Sequence, residues 1–325
     1  MELRPLGRSG LQVSRLALGT MTWGRDTDAD DAASQLTDFV EAGGNLLDTA
    51  DVYADGESER VIGKLLHGVV AREDVVLATK AVGRGRASSR RRDASRGHLL
   101  RALDASLDRL GVEYVDLWQL HAWDDATPLE ETLAALDAAV ASGKTRYVGI
   151  SNYTGWQTAK AATWQLAVPG RAPLISTQVE YSLLQRGIER EVAPAAADLG
   201  LGLLPWSPLG RGVLTGKYRA GRPADSRAAS PNFSGFVEPY LDDDANGVVN
   251  AVHAAADGLG VAPLVVALAW VRDRPGVVAP IVGARTAGQL RGSLEAESLV
   301  LPDEIRTALD DVSMPAIGYP EREAT

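Results

Sequence analysis

Three short apolar runs in this chain each end in an ionisable residue, and these residues are Asp48, Lys80 and His121. Tyr53 follows Asp48 by five positions. Each run has the length and composition of a buried parallel strand. A polar residue that closes such a strand projects at the carboxyl end of the sheet, where α/β barrels carry their chemistry. A carboxylate, an amine, an imidazole and a phenol at successive strand ends predict a proton-transfer site.

The four side chains suggest separate roles in such a site. The Tyr53 phenol can donate a proton, although its ordinary pKa of about 10 is too high for efficient exchange near neutrality. The ammonium of Lys80 would favour the phenolate, and Asp48 would hold Lys80 in place and keep it charged. His121 would donate to an oxygen on which charge develops. Taken singly, each residue has an ordinary structural alternative, such as a cap, a surface group or core packing.

The elements that must position these residues alternate along the chain from residue 16 onward. Apolar runs predict eight strands, over 16–19, 45–50, 75–80, 115–121, 145–151, 174–180, 201–207 and 277–282. Helical spacing predicts helices over 28–42, 58–66, 96–110, 128–142, 155–166 and 188–199. The pattern predicts an α/β fold, a single (β/α)8 TIM barrel that forms one domain over residues 1–325.

Three local features add detail to this barrel. Two short strands around residues 7–10 predict a hairpin that plugs its amino-terminal end. Thr127 and Pro128 predict a capping box with proline at the first helical position. A long connection over residues 210–240, rich in Gly, Arg, Pro and Ser, follows strand 7. Structureless connections beyond about 15 residues are commonly lids or binding loops, so we expect a binding loop, with a long surface excursion as the alternative.

Composition excludes several classes of function. The chain has no cysteine, so neither disulfides nor thiolate chemistry are available. Its net charge of −10 argues against binding to nucleic acid. The longest apolar run, residues 261–271, is too short to span a bilayer, and the first residues lack the apolar core of a signal peptide. We therefore expect a cytoplasmic protein with no membrane partner.

Short motifs in fixed order give the chain a resemblance to the aldo-keto reductase superfamily. Each motif is weak alone, but the series at barrel spacing is specific. The motifs are DTADVY at 48–53, SE and IG within 58–63, ATK at 78–80, QLH at 119–121, GISN at 149–152, Gln178, WSPL at 206–209, GKY at 216–218 and IVG at 281–283. The resemblance implies a carbonyl reductase that binds a nicotinamide cofactor without a Rossmann fold. The chain indeed has no G-x-G-x-x-G after a strand.

The resemblance also implies roles for individual residues. The catalytic tetrad would be Asp48, Tyr53, Lys80 and His121. The residues expected to bind the cofactor are Thr20, Met21, Ser151, Asn152, Gln178, Trp206, Ser207, Pro208, Leu209, Gly210, Arg211, Lys217, Gly283, Arg285 and Gln289. Among these, Trp206 would stack on the nicotinamide, and its carboxamide would be held by Ser151, Asn152 and Gln178. The pyrophosphate would be lined by Ser207, Leu209, Gly210, Arg211 and Lys217. Arg285 is the candidate contact for the 2′-phosphate of NADPH, because a planar guanidinium suits phosphate oxygens. We therefore expect a preference for NADPH, with NADH also possible.

The sequence predicts the substrate pocket less specifically than it predicts the cofactor site. Trp23 and Trp123 would form aromatic walls of a pocket for a small-molecule carbonyl compound, or merely cover the barrel mouth. The chain departs from common family patterns at Ala54, where relatives often carry Gly. It also departs at Gly292 and Ser293, so the adenine would be held more loosely or differently. A homo-oligomer is compatible with the sequence.

Two other functions stay open at this point. A barrel aldolase could use Lys80 as a Schiff-base nucleophile. Potassium-channel β subunits resemble this chain in the WSPL and GKY segments and chiefly regulate a partner. The chain begins a few residues before its first hairpin, without an extension that could act as a plug; we therefore favour the reductase.

Overall fold

The computed structural model describes residues 1–83, 92–219, 221, 223, 234–316 and 318–319. The strands are β1 (Leu3–Pro5), β2 (Gln12–Ser14), β3 (Ala17–Gly19), β4 (Leu46–Asp48), β5 (Val76–Ala81), β6 (Val115–Leu120), β7 (Thr145–Ser151), β8 (Leu174–Glu180), β9 (Gly202–Trp206) and β10 (Ile281–Gly283). The α-helices are α1 (Ala29–Glu41), α2 (Glu57–Leu66), α3 (Arg96–Leu110), α4 (Leu129–Ala141), α5 (Gly155–Ala167), α6 (Val192–Leu199), α7 (Ser234–Val237), α8 (Asp243–Leu259), α9 (Pro263–Arg272), α10 (Ala287–Leu294) and α11 (Asp303–Val312).

Strands β3 to β10 form a parallel sheet of eight strands in the order β10-β3-β4-β5-β6-β7-β8-β9. The two edges meet through Leu203, whose N–H donates to Gly276 O at 2.9 Å and whose carbonyl accepts from Val278 N at 2.9 Å. The sheet is therefore a (β/α)8 barrel, and the predicted fold is confirmed. The eighth strand begins later than predicted, at Ile281, because Pro280 has no N–H for the ladder.

The amino-terminal hairpin is also as predicted. Strands β1 and β2 pair antiparallel. The side chains of Leu6 and Val13 are fully buried, in one cluster with Leu46 and Leu117 from the barrel strands. Arg8 N donates to Gly200 O at 2.8 Å, which joins the hairpin turn to the connection before β9. The hairpin therefore covers the amino-terminal end of the barrel and leaves the carboxyl end for the site.

The surrounding helices begin and end mostly where the sequence predicts. Helix α1 is capped by Asp28, whose side chain accepts from Asp31 N. The predicted capping box at α4 is wrong. Pro128, in an extended conformation, is itself the N-cap, and Thr127 Oγ1 instead donates to Asp124 Oδ2 at 2.7 Å. Because Pro128 occupies the N-cap and its side chain has no hydrogen-bond acceptor, Thr127 lies one residue too early to cap the helix. Helix α6 also starts later than predicted, after a short 3₁₀ turn over Gly187–Glu189.

The long connection after β9 contains short helical pieces at its two ends. A 3₁₀ segment over Gly210–Thr215 begins it, and α7 with a second 3₁₀ turn at Glu238–Tyr240 ends it. Helix α9, which contains most of the longest apolar run, is almost wholly buried. Among the described residues, no single helix is long and apolar enough to cross a membrane. Helices α8 and α9 meet those criteria only as a pair bent by 102°.

The hairpin plug gives a prediction about stability. Leu6→Ala removes a fully buried side chain from the closed end of the barrel, so we expect the free energy of unfolding to fall by about 3 kcal/mol. Leu3→Ala is the matched control, because Leu3 lies in the same hairpin and is 50% exposed. Denaturant unfolding of both variants makes the comparison. Equal, small losses in the two variants would show that the hairpin does not seal the barrel.

Candidate active site

Lys80 and Asp48 form a buried ion pair at the carboxyl ends of β5 and β4. Lys80 Nζ donates to Asp48 Oδ2 at 2.7 Å and to Thr49 O at 2.8 Å. Burial alone disfavours an ammonium, but the Asp48 carboxylate outweighs that effect and raises the pKa of Lys80. The amine therefore stays protonated. A Schiff-base nucleophile needs a neutral amine, so this environment argues against the aldolase alternative.

The Tyr53 hydroxyl lies beside this pair. Lys80 Nζ is 3.5 Å from Tyr53 Oη and 5.1 Å from the centre of its ring. Burial raises the pKa of Tyr53, and the ammonium of Lys80 opposes that rise. The sequence predicted a net lowering. In this enclosed site burial has the larger effect on the pKa of Tyr53, and the Lys80 ammonium limits how far that pKa rises.

The turn that carries Tyr53 is strained. Ala54 and Asp55, which follow it, have φ of 48° and 54°, in the left-handed region, and Gly56 has φ of 90°. Glycine adopts such angles at little cost, whereas side chains resist them. At Ala54 this chain therefore accepts strain where the resemblance led us to expect Gly. Strained backbone of this kind clusters at functional sites.

His121 faces the tyrosine from the end of β6. The two rings meet edge to face, with their centres 5.9 Å apart and their planes at 81°. Burial, with the nearby charges of Lys80 and Arg92, lowers the pKa of His121 to about 3. The imidazole is therefore neutral at physiological pH, and it can donate one N–H without carrying a charge.

Polar side chains from β7, β8 and β9 form one wall beside these groups. Gln178 Nε2 donates to Asp48 Oδ1 at 2.8 Å, and Ser151 Oγ donates to Gln178 O at 2.8 Å. Trp206 Nε1 donates to Asn152 Oδ1 at 3.0 Å, which fixes the plane of the indole. The three groups that the resemblance implies for a carboxamide therefore lie together, beside the tryptophan.

A cavity of about 500 Å³ opens over these residues. This volume lies in the usual range for small-molecule and cofactor sites. Seventeen of the residues expected in the site line it: Asp48, Tyr53, His121, Thr20, Met21, Ser151, Asn152, Gln178, Trp206, Ser207, Pro208, Leu209, Arg211, Lys217, Gly283, Arg285 and Gln289. Lys80 lies beneath the lining, bonded to Tyr53. Gly210 is buried and outside the lining.

The two tryptophans expected in the substrate pocket lie elsewhere. Trp23 is wholly buried, and its Nε1 donates to Gln35 Oε1 at 3.2 Å, so its predicted place in the pocket wall is wrong. Trp123 packs edge-on against Tyr153 and Trp156, and it is not among the described residues that line the cavity. Large aromatic residues suit core packing as well as pocket walls, and sequence alone does not separate the two.

Arg211 lines the cavity, but its guanidinium is already paired. Arg211 Nε and Nη2 donate to the two carboxylate oxygens of Glu180 at 2.7 and 2.6 Å. Nη1 donates to Phe236 O, and the guanidinium lies 3.9 Å from the centre of the Phe236 ring. Tyr240 Oη also donates to Glu180, at 3.0 Å. Arg211 therefore ties the end of the long connection to β8, and a pyrophosphate would meet a cation that Glu180 has neutralised.

The opposite end of the cavity is formed by β10 and the start of α10. Gln289 Oε1 accepts from Arg285 N at 3.0 Å, so the side chain of Gln289 braces the loop that carries Arg285. Ser293 lines the cavity, and its Oγ donates to Gln289 O at 3.0 Å. Ser293, where the chain departs from the common family pattern, thus stabilises α10, the helix that borders this end of the cavity. Gly292 is not among the lining residues of the described chain.

The sequence did not predict two other residues at the site, Phe236 and Glu180. Phe236 stacks near Trp206, with ring centres 6.2 Å apart and planes at 18°, but it lies in a segment without periodicity. Glu180, the partner of Arg211, closes β8 just as Asp48 closes β4. The rule of a polar residue at a strand end would have found it. The arginines at 84, 86, 90 and 91 lie outside the described residues.

Comparison with known proteins identifies the family to which the chain belongs. The Aldo/keto reductase family matches residues 15–313. The uncharacterized oxidoreductase YrpG of Bacillus subtilis (strain 168) is 37% identical over 96% of each chain. A probable voltage-gated potassium channel subunit beta of Oryza sativa subsp. japonica is 37% identical over 92% of each chain. The versiconal hemiacetal acetate reductase of Aspergillus parasiticus is 31% identical over 98% of this chain and 99% of its own.

The chain therefore belongs to the aldo/keto reductase family, which includes oxidoreductases and generally uses nicotinamide cofactors.

Proposed function

We propose that this protein reduces aldehydes or ketones to alcohols with NADPH, and that Tyr53 is the general acid. The observation that carries the proposal is the 3.5 Å contact between Lys80 Nζ and Tyr53 Oη, because Tyr53 lines the same cavity as Trp206. Reduction of a carbonyl needs a hydride on carbon and a proton on oxygen. A phenol beside a buried ammonium is suited to supply the proton.

The residues at the deep end of the cavity fit a nicotinamide. The indole of Trp206, held by Asn152, offers a flat apolar face, and Ser151, Asn152 and Gln178 offer hydroxyl and amide groups for a carboxamide. When bound there, the reduced cofactor would supply the hydride. Because one of the two amide N–H groups of Gln178 is bonded to Asp48, its oxygen can accept from the carboxamide and its second N–H can donate to it.

The proton is handled by four side chains. Tyr53 donates it to the carbonyl oxygen and becomes a phenolate. The Lys80 ammonium at 3.5 Å stabilises that phenolate, and Asp48 keeps the ammonium in place. His121, neutral because its pKa is about 3, donates a hydrogen bond to the same carbonyl oxygen. Its lack of charge means that it orients the substrate without competing for the proton.

Two cations of the cavity support the choice of NADPH. Lys217 and Arg285 line it on separate segments, and Arg285 sits on the loop that Gln289 braces. Phosphate oxygens match both an ammonium and a planar guanidinium. With Arg211 neutralised by Glu180, we assign the pyrophosphate to Lys217 and the 2′-phosphate to Arg285.

A second candidate is a regulatory subunit of a membrane channel. The relatives from Oryza sativa and Arabidopsis thaliana, 37% and 35% identical, are named as probable potassium channel β subunits. Such a role would require a partner channel and would not require Tyr53. Co-purification of a membrane protein, unchanged by Tyr53→Phe, would favour it over the reductase.

Tyr53→Phe tests the acid. The variant keeps the ring but has no proton to give, so we expect carbonyl reduction to fall at least 100-fold, within the usual range for general acid catalysis. Binding of NADPH, followed by quenching of protein fluorescence, should stay within about twofold. Tyr319→Phe, at a side chain that is 78% exposed, is the matched control. Undiminished turnover in Tyr53→Phe would refute the assignment.

Arg285→Ala tests the cofactor preference. We expect the dissociation constant for NADPH to rise about tenfold or more, as for the loss of one charged hydrogen bond to phosphate, while that for NADH changes little. Arg291→Ala is the control, because Arg291 lies on the following helix, 62% exposed and paired with Asp38. An equal loss of affinity for both cofactors would contradict the role given to Arg285.

A further inference from the structure

Asp51 is a partly buried acid that the proposed mechanism does not use. It lies between Asp48 and Tyr53 in the turn after β4, and its backbone N–H donates to Lys80 O at 3.1 Å. Its Oδ1 atom is buried and accepts no hydrogen bond from the part of the chain that the structure describes. The backbone N–H of Val52 bonds to the carboxyl group. The backbone N–H of Asp51 thus joins the turn that carries Tyr53 to the strand that carries Lys80.

The charges around Asp51 are already balanced without it. Glu59, fully buried on α2, accepts from Thr79 Oγ1 at 2.6 Å and from Arg109 Nε at 2.6 Å. Lys80 is paired with Asp48 in the same way. The two cations, Lys80 and Arg109, are thus each paired with one carboxylate. A charged Asp51 would add a third carboxylate without a cation to balance it. Within the described residues Asp51 forms no ion pair of its own.

This arrangement favours the neutral acid. Burial and the negative charge of Glu59 raise the pKa of Asp51 to about 7, against the weaker opposite effects of Arg109 and Lys80. The charge of Asp51 in turn acts on Tyr53, because an ionised Asp51 raises the pKa of the phenol. Each of these groups faces Asp51 from a different element: Glu59 from α2, Arg109 from α3 and Lys80 from β5.

We propose that Asp51 is a positioning residue that acts through Tyr53: as a neutral acid it lets the phenol release its proton, and as a carboxylate it opposes that release. The inference rests on the function proposed for Tyr53. During reduction the phenol becomes a phenolate, so negative charge appears in the turn that holds Asp51. A second negative charge nearby disfavours that step. Reduction should therefore slow as the pH rises through about 7.

Asp51→Asn tests this through the pH profile of kcat/KM. The amide cannot ionise, so the ratio of the variant to the natural enzyme should rise about five- to tenfold between pH 5.5 and 8.5, as for a shift of about one unit in the pKa of Tyr53. Glu59→Gln should move the fall in the natural profile to lower pH, because it removes the charge that raises the pKa of Asp51. Asp55→Asn, exposed in the same turn, is the control and should follow the natural enzyme throughout.

Stability gives a second readout that needs no activity. The folded state holds the proton of Asp51 more tightly than the unfolded chain, whose ordinary pKa is 3.8. The stability that this proton contributes is therefore fully present below that value and is lost as the pH rises through about 7. The unfolding midpoint of Asp51→Asn, relative to the natural protein, should climb between pH 4 and 7 and then stay level.

The two readouts separate the possible failures. A stability difference that climbs with pH, in a protein that reduces no carbonyl compound at any pH, would contradict the proposed function and leave the protonation of Asp51 standing. A rate ratio that stays flat from pH 5.5 to 8.5 in an active enzyme would overturn the inference. A stability difference independent of pH would overturn it as well.

Discussion

The buried ion pair between Lys80 and Asp48 is the contact on which the carboxyl end of the barrel depends. Neither charge could be left there alone, since an unpaired buried charge costs about 3 to 5 kcal/mol when its partner is removed. Asp48 also accepts from Gln178, and Lys80 also donates to Thr49 O. The pair therefore joins β4, β5 and β8 across the barrel interior. Tyr53 is placed by a turn that starts from this pair, so its reach to Lys80 follows from the same contact.

Backbone strain is concentrated just after the strands that carry the site. Val82 after β5, Asn152 after β7 and Ser207 after β9 have φ of 112°, 58° and 51°. Side chains in that region each cost of the order of 1 to 3 kcal/mol. The closed, packed end of the barrel, sealed by the hairpin, offsets this cost. Stability and site geometry thus come from opposite ends of one barrel, as is usual for the fold.

Sequence reasoning succeeded where a local rule fixes the outcome. An apolar run that ends in a polar residue located Asp48, Lys80 and His121, because strand period and position decide which end a side chain occupies. It failed where a neighbour distant along the chain decides. Glu180 pairs with Arg211, and Gln35 accepts a hydrogen bond from Trp23 Nε1 within the core. The raised pKa of Asp51 also depends on a neighbour from another element, Glu59 on α2.

The central claim is that Lys80 promotes reduction through the proton of Tyr53. A double-mutant cycle tests it most directly, with single-turnover reduction rates for the natural enzyme, Lys80→Met, Tyr53→Phe and the double variant. Each protein would first be checked for cooperative unfolding and NADPH binding. If the two residues act as a unit, the double variant should be no slower than Tyr53→Phe alone. Losses that simply add would mean that Lys80 acts on something other than the phenol.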